Sequence, residues 1–598
     1  MEYTYSNSDR VNNSPGGPTP NNRTPQHTKM TLSKEKLHEL EQEFLHTKTK
    51  DIVNKFMTTT TAHGWGRVGS ENNIFIKLFW VAITLTAFGA NVTHVLTLVL
   101  QYRAFPSEQV SDVELSSIEF PSVTICNIQP MSVSTGLEMM QDPSTQLYQW
   151  DNLTQFYYDM AKKDGNLSYE EELKYNRLKQ PIGYFENIGD EATRVGHQPR
   201  DFLLSCTFGY RQCTWDNFTF FQSPTYYNCY TFNGNKSSEN LVARTTGPQE
   251  GLSLILYLES DNGDELYNGT YHTLSNVGNA AGARVIVHPP NSRPSPVDQG
   301  FDVPPGFSSS VGVKATRYER LGEPYGPCVE DTMHGSDLFV YATDTCVTLC
   351  QQRYVMNACD CVSSLLPIPE YNESNLKYCG NFDAAHQEYF FSNLSCEAAS
   401  LAEFVAEDNV RESCGCHPPC EEYSYKTDVS YSYWPLDFTQ LSFYQSYVLN
   451  HPDVDNLKAY QNLENYNTSE LISTGLIRKN FLRLNVYLKD LIIQEYIQKK
   501  SYEIQNLISD MGGTFGLWIG MSVITWCEVV ELLIRLTSRS VRKLVHSGEM
   551  QGSPKHSQRG SGVNSPNSMD NKVSPRMDPH TAHALGLQDC IVYKEVQV

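Results

Sequence analysis

Two stretches of this chain are apolar for long enough to stand apart from the alternating polar background. Leu78–Tyr102 runs for 25 residues without Asp, Glu, Lys or Arg. That exceeds the roughly twenty residues a membrane-crossing helix needs, and it predicts a spanning helix over residues 74–102. The residues before it are polar and hold no secretory h-region, so this helix would act as an uncleaved signal-anchor. The second stretch, Met511–Cys527, is charge-free for 17 residues between Asp510 and Glu528 and predicts a second span over 505–536. Elsewhere the pattern is shorter in period. Phe120–Asn127, Leu252–Leu258 and Ala283–His288 read as strands, and alternation of Leu482, Leu484, Val486 and Leu488 predicts a strand over Lys479–Tyr496. Leu137–Tyr175 has helical character, Leu37–Phe56 a loose amphipathic stripe, and Pro289–Gly306 the composition of an irregular surface segment.

Charge and cysteine placement orient these elements. Lys48, Lys50, Lys55, Arg67 and Lys77 precede the first span, and Arg535, Arg539, Arg542 and Lys543 follow the second. Basic flanks belong on the cytoplasmic side, which places residues 1–73 and 537–598 inside and 103–504 outside. The outer segment holds fourteen of the 16 Cys. It also holds the sequons Asn152, Asn166, Asn217, Asn235, Asn268, Asn372, Asn393 and Asn467, the pattern of an oxidising, glycosylating compartment. A net charge of −22 and a pI near 5.2 argue against a nucleic-acid partner. Both terminal segments read as largely disordered, the tail carrying Ser-Pro pairs at Ser553, Ser565 and Ser574. The terminal Val598 is a possible PDZ ligand by strand addition.

The cysteines of 328–420 suggest a ladder. Cys346 and Cys350 lie four apart, on one face of a helix, and Cys414 and Cys416 two apart, on one face of an extended strand. A helix beside a strand can then bridge Cys350–Cys414 and Cys346–Cys416. Cys328–Cys420 extends the ladder, and Cys359–Cys396 with Cys361–Cys379 closes its far end. Zinc held by Cys359-Asp360-Cys361 and Cys414-Gly415-Cys416-His417 is the competing reading; the extracellular setting favours disulfides and no metal.

The second apolar stretch carries the chemistry. Gly512, Gly516 and Gly520 recur every fourth residue, a stripe that lets another backbone approach closely. A glycine stripe is first of all a helix-packing motif. Acids tip the reading towards a pore, because Glu528 and Glu531 share a helix face and intramembrane carboxylates are costly unless they line water or find partners. Gly520, Met521 and Ser522 then offer bare carbonyl and hydroxyl oxygens able to replace part of an ion's hydration shell. Ser509, Asp510, Gly513, Leu517, Glu528 and Glu531 are the candidate pore-lining positions. His63-Gly64, just before the first span, reads on its own as a turn.

These residues resemble the degenerin/epithelial sodium channel family, which includes the acid-sensing channels. The resemblance covers roughly residues 60–545. It rests on His63-Gly64, Phe120–Asn127, Leu203-Leu204-Ser205-Cys206, Tyr230-Thr231-Phe232-Asn233, the order of the outer cysteines and the second-span signature. Gly516–Trp526, Thr246-Gly247-Pro248 and Pro294–Asp298 look most like the FMRFamide-gated sodium channels of invertebrates. The resemblance agrees with the ladder and adds Cys126–Cys229 and Cys206–Cys213. It implies an α+β membrane protein, a homotrimer with two transmembrane helices per subunit. The outer domain would have a β-sheet palm with helical thumb and finger. It further implies that Gly520–Ser522 is the selectivity filter and that His63-Gly64 folds back under the pore as a gating loop. Ser509 aligns where bulky side chains hold relatives open. Two positions depart from the family pattern: Met521 stands where Ala is usual, and Tyr325 where acid-sensing relatives commonly have Trp.

The expected function is a neuropeptide-gated, sodium-selective, amiloride-sensitive plasma-membrane channel, with sodium as permeant ion, lipid around its spans and no cofactor. Proton gating is the nearest alternative, followed by constitutive or mechanical gating. A two-span receptor or adhesion protein without conduction is the alternative from another class. HExxH, G-x-S-x-G and P-loop motifs are missing, which argues against an enzyme.

Overall fold

The computed structural model describes residues 49–115, 118–164, 168, 176–234, 241–260, 280–330, 339–368, 377–406, 413–449 and 466–549. Asn166, Asn235, Asn268, Asn372, Cys590, the Ser-Pro pairs and Val598 lie outside them. The chain divides into two compact units, one made of residues 1–103 and 503–598, the other of 104–502.

The 104–502 unit is built on two sheets. The larger has the strand order Ser107–Leu115, Ile492–Lys500, Phe307–Glu319, Phe481–Leu488, Leu252–Tyr257, Leu203–Phe208 and Arg211–Cys213. Glu421–Tyr433 runs antiparallel along the whole of Phe307–Glu319. On the opposite edge of that long strand two strands follow one another in parallel, Phe481–Leu488 against 308–313 and Ile492–Lys500 against 316–319. The single strand expected over Lys479–Tyr496 is therefore two. The charged pair at the break is held outward, Lys489 to Asp428 at 2.7 Å and Asp490 to Lys314 at 3.8 Å. Arg317 gathers three carboxylates here: Glu421 at 2.9 Å, Glu495 at 3.1 Å and Glu319 at 3.4 Å.

The smaller sheet has the order Phe301–Val303, Ala283–His288, Ser122–Asn127, Tyr227–Phe232 and Phe218–Ser223. Its central strands Ser122–Asn127 and Tyr227–Phe232 are buried at every position, so they read as continuous rather than alternating. Even the irregular segment expected over 289–306 contributes a strand, Phe301–Val303. One apolar core, from Phe120, Val123 and Ile125 through Leu252, Leu254 and Leu256 to Val311, Leu482 and Leu484, joins the two sheets.

Helices Val133–Gln141, Gln146–Asp164 and Pro181–Ile188 pack around a second, aromatic core of Trp150, Tyr184, Phe185, Tyr227, Phe382 and Phe390. Seven disulfides close within this unit: Cys126–Cys229, Cys206–Cys213, Cys328–Cys420, Cys346–Cys416, Cys350–Cys414, Cys359–Cys396 and Cys361–Cys379. Both cysteine clusters weighed as zinc ligands are consumed by them. Cys346 and Cys350 do project from a helix, Thr343–Cys359. Their partners, however, are not on an extended strand: Gly415 turns in the left-handed region (φ 65°), and that turn aims Cys414 and Cys416 at the helix.

In the other unit, helix Ile74–Arg103 is long and apolar enough to cross a membrane. Helices Ile504–Ile519 and Val523–Val541 meet that test only together, and they are bent by 75° at the break between them. The second of these helices continues to Glu549. Upstream, Thr49–Thr59 and Trp65–Ser70 are helical.

Candidate functional site

The break in the helix pair falls on Gly520, Met521 and Ser522 because each half is capped there by local chemistry. Gly520 sits in the left-handed region (φ 60°), a conformation a side chain disfavours. It ends the first half by donating its N–H to Gly516 O at 3.1 Å, while Met521 N donates to Phe515 O at 3.1 Å. The second half begins with a reciprocal box: Ser522 N donates to Thr525 Oγ1 (3.1 Å) and Thr525 N to Ser522 Oγ (3.3 Å). The Ser522 hydroxyl is thus a helix cap as well as an exposed oxygen at the break.

The segment before the first helix folds into this break. His63 N donates to Ile519 O at 3.0 Å, satisfying a carbonyl that the broken helix leaves open. The His63 imidazole lies so close to Gly520 that a Cβ there would overlap it. Gly64 has φ 87°, and a Cβ on it would come within 2.6 Å of Thr84 Oγ1 on helix Ile74–Arg103. Both glycines are therefore required by positive φ and by close approach together. The motif is a turn, as its sequence suggests, and that turn seats against the break.

Below the break, the Glu528 carboxylate is held by the same segment. Thr60 Oγ1 and Thr61 N donate to Oε2 at 3.0 and 3.1 Å, and Thr61 Oγ1 to Oε1 at 3.4 Å. The Thr61 hydroxyl lies 2.7 Å from that of buried Thr525, which reaches Ser522 Oγ at 3.2 Å. A polar chain thus runs from Ser522 through Thr525 and Thr61 to Glu528. Glu531 is paired along its own helix with Arg535 at 2.5 Å. Sequence reasoning missed Thr60, Thr61 and Thr525. Only Thr525 carried a local signal, the Ser-x-x-Thr spacing from Ser522.

Above the break, helix Ile504–Ile519 packs on helix Ile74–Arg103, with Leu507 and Thr514 buried on one and Asn91 and Leu98 on the other. Trp518 Nε1 donates to His94 Nδ1 at 3.4 Å. Ser509, Asp510, Gly512, Gly513, Gly516 and Leu517 are exposed, and among the described residues nothing beyond the helix's own backbone lies within 4 Å of where a Cβ would stand on the three glycines.

In the 104–502 unit, Tyr325 meets Phe105 edge-on, ring centroids 5.5 Å apart, with Lys500 Nζ 5.5 Å from the Tyr325 ring. Of the described sequons, Asn217 and Asn467 are exposed: Asn467 caps helix Thr468–Thr474 by accepting from Glu470 N, and Asn217, at the end of the short turn Trp215–Asn217, accepts from Thr214 N, both at 2.9 Å. Asn152 and Asn393 lie within helices.

Comparison with known proteins bears on this arrangement. The family profile described as "Amiloride-sensitive sodium channel" matches residues 56–532, from the threonine-bearing segment through Glu531. The FMRFamide-activated amiloride-sensitive sodium channel of Cornu aspersum is 34% identical, over 81% of this chain and 83% of that protein. The epithelial sodium channel alpha subunit of Neoceratodus forsteri is 26% identical over 82% of this chain and 80% of its own. Acid-sensing ion channel 4-B of Danio rerio is 26% identical over 83% and 78%. With a profile matched over most of its length and a relative at this identity and coverage, the chain belongs to the amiloride-sensitive sodium channel family of ion channels.

Proposed function

We propose that this chain is a subunit of a peptide-gated, sodium-selective channel of the plasma membrane, with both termini cytoplasmic. The observation that carries the reading is the likeness to the FMRFamide-activated channel across four-fifths of both chains. The broken helix supports it: the carbonyls of Gly520 and Met521, which lie at the break between the two helices, are grouped with the Ser522 hydroxyl, the kind of ligand set that substitutes for hydration. Two helices cannot enclose an aqueous path, so several copies must surround an axis. The bare glycine stripe of Gly512 and Gly516 suits such close approach, and a homotrimer is the assembly proposed. In that assembly Ser509, Asp510, Gly513 and Leu517 line the outer path, and Glu528 and Glu531 stand at the inner one. Asn217 and Asn467 are the best-presented glycan acceptors.

A peptide that binds the outer unit shifts the gate only by its differential affinity for the open arrangement. Small residues at Ser509 allow copies to close together. Overfilling packed interiors costs about 1–3 kcal/mol, enough to compete with a gating equilibrium, so Ser509→Phe should leak sodium without agonist.

Expression in oocytes tests the reading, with FMRFamide and a step to acid applied in turn, each with and without amiloride. An amiloride-blocked sodium current evoked by peptide is the expected result. Current evoked by acid alone would reassign the stimulus, and surface protein silent to both would remove peptide gating.

A further inference from the structure

The hydroxyls below the break form a series whose direction is set at its lower end. An ionised carboxylate only accepts, whereas a hydroxyl has one proton to give and can accept two. Glu528 takes Thr60 Oγ1–H (3.0 Å) and Thr61 N–H (3.1 Å) on Oε2, and Thr61 Oγ1–H (3.4 Å) on Oε1. The hydroxyl proton of Thr61 is thereby spent. Across its 2.7 Å contact with Thr525 Oγ1, the Thr61 oxygen therefore accepts and Thr525 donates. Thr525 then has no hydroxyl proton left for Ser522. Its oxygen accepts from Ser522 N at 3.1 Å, and across the 3.2 Å contact it accepts again, from Ser522 Oγ–H.

Ser522 thus has its proton turned away from the break. Its oxygen accepts one bond, from Thr525 N at 3.3 Å, and keeps one lone pair free. Ser522 is exposed at the break, while Thr525 is fully buried. A lone pair facing outward can replace part of a cation's hydration, and a hydroxyl proton in its place cannot. We propose that Thr61 and Thr525 are positioning residues for the Ser522 oxygen: they carry the acceptor bias of Glu528 to the break and hold that hydroxyl as a ligand for the permeant cation. Hydroxyls bonded in series polarise one another, which is how an acid two residues' contacts away can act at the break. The proposal rests on reading the chain as a sodium-selective channel whose ions pass Gly520–Ser522. It adds that two threonines, one on the pre-helix segment and one on the buried helix face, set selectivity through a neighbour's oxygen.

Thr61→Val removes the acceptor of the Thr525 proton and leaves the Ser522–Thr525 box in place. Thr525 Oγ1–H can then turn to Ser522 Oγ. Ser522 would accept both of its bonds from Thr525 and point its own proton into the break.

The test is the sodium-over-potassium permeability ratio of the full-length channel. It is read from reversal potentials of the amiloride-blocked current, whichever of FMRFamide or acid evokes it. A ratio needs residual current but not a normal number of channels. Thr61→Val should lower it by roughly three- to tenfold, and Thr61→Ser, which restores the hydroxyl, should recover most of that loss. Thr525→Val cuts the same path one step nearer the break and gives a second reading should Thr61→Val pass no current. A selective wild type whose ratio survives in either conducting valine variant would overturn the proposal and leave the channel reading standing. So would a ratio as low in Thr61→Ser as in Thr61→Val. A wild-type current that does not separate sodium from potassium would remove that reading and the proposal together.

Discussion

The two units of this chain are held by opposite means. The 104–502 unit is fixed by covalent rungs and long strand ladders. Cys126 and Cys229 face each other directly across two fully buried strands and are then bonded. The helical unit is fixed at its break by single hydrogen bonds: one from His63, three to Glu528, and two in a capping box. Regions that move in function are drawn from the low-stability end of a structure. The difference teaches where a conformational change is least costly: at a helix end whose caps come from another segment rather than within a unit closed by seven disulfides.

The largest expected effect is at the break. Gly520→Val puts a branched side chain at φ 60° and into the His63 ring. Each burden is worth about 1–3 kcal/mol, so current should fall more than tenfold while surface protein is retained. Normal current would mean that the loop can leave the break without consequence. Replacing Cys126 and Cys229 together by Ala opens a loop spanning 103 residues and should cost about 2–4 kcal/mol. It should reduce the folded protein reaching the surface, with conductance per channel unchanged. An altered sodium-over-potassium permeability in that variant would erase the contrast between the units.

Glu528→Gln weakens charge-assisted bonds from Thr60 and Thr61, each about 1.5–3 kcal/mol. Peak current should drop several-fold, and Thr61→Val should reproduce most of the loss. If Glu528→Gln changes conductance while Thr61→Val is silent, Glu528 acts on the ion and not on the loop.

Acid stability is touched without any effect on current at neutral pH. His288 is buried between Thr124 Oγ1 and Ser292 Oγ, each 2.8 Å away. Ser292 donates to Pro289 O, so its oxygen accepts from His288 Nδ1–H, and Nε2 accepts from Thr124. Burial pulls this imidazole down from 6.5 to about 4. The folded state then binds fewer protons than the unfolded one between those values. Stability is full above the ordinary value and declines as pH falls towards 4, by roughly 2–4 kcal/mol in all. His288→Gln should flatten that acid limb; an unchanged limb would show that the ring is not held neutral.

What was legible in the sequence was local. Charge-free runs marked the apolar helices, and the i,i+4 spacing of Cys346 and Cys350 marked a cross-linked helix. Gly520 announced a special backbone without saying that the helix would break there. What escaped was long-range or short-ranged in the wrong way. Thr61 and Glu528 are 467 residues apart, and nothing in either neighbourhood points to the other. Arg177 pairs with Glu186 and Glu397 in a buried cluster whose members carry no periodicity, since ion clusters are set by tertiary packing. Lys489 and Asp490 interrupted the apolar alternation of Lys479–Tyr496, and that interruption was the sign of two strands.

The contact between His63 and Gly520 is what separates a turn that merely connects two helices from a turn that seats against the break. A double-mutant cycle measures it: agonist-evoked current in Gly520→Ala, in His63→Ala and in the two combined, each normalised to surface protein. If the ring seats against the break, Gly520→Ala is severely impaired because its Cβ meets the imidazole. Removing the ring then restores much of the loss, leaving only the strain of a non-glycine residue at φ 60°. Effects that simply add, with the double variant worse than either single one, would contradict the seating of this loop against the break.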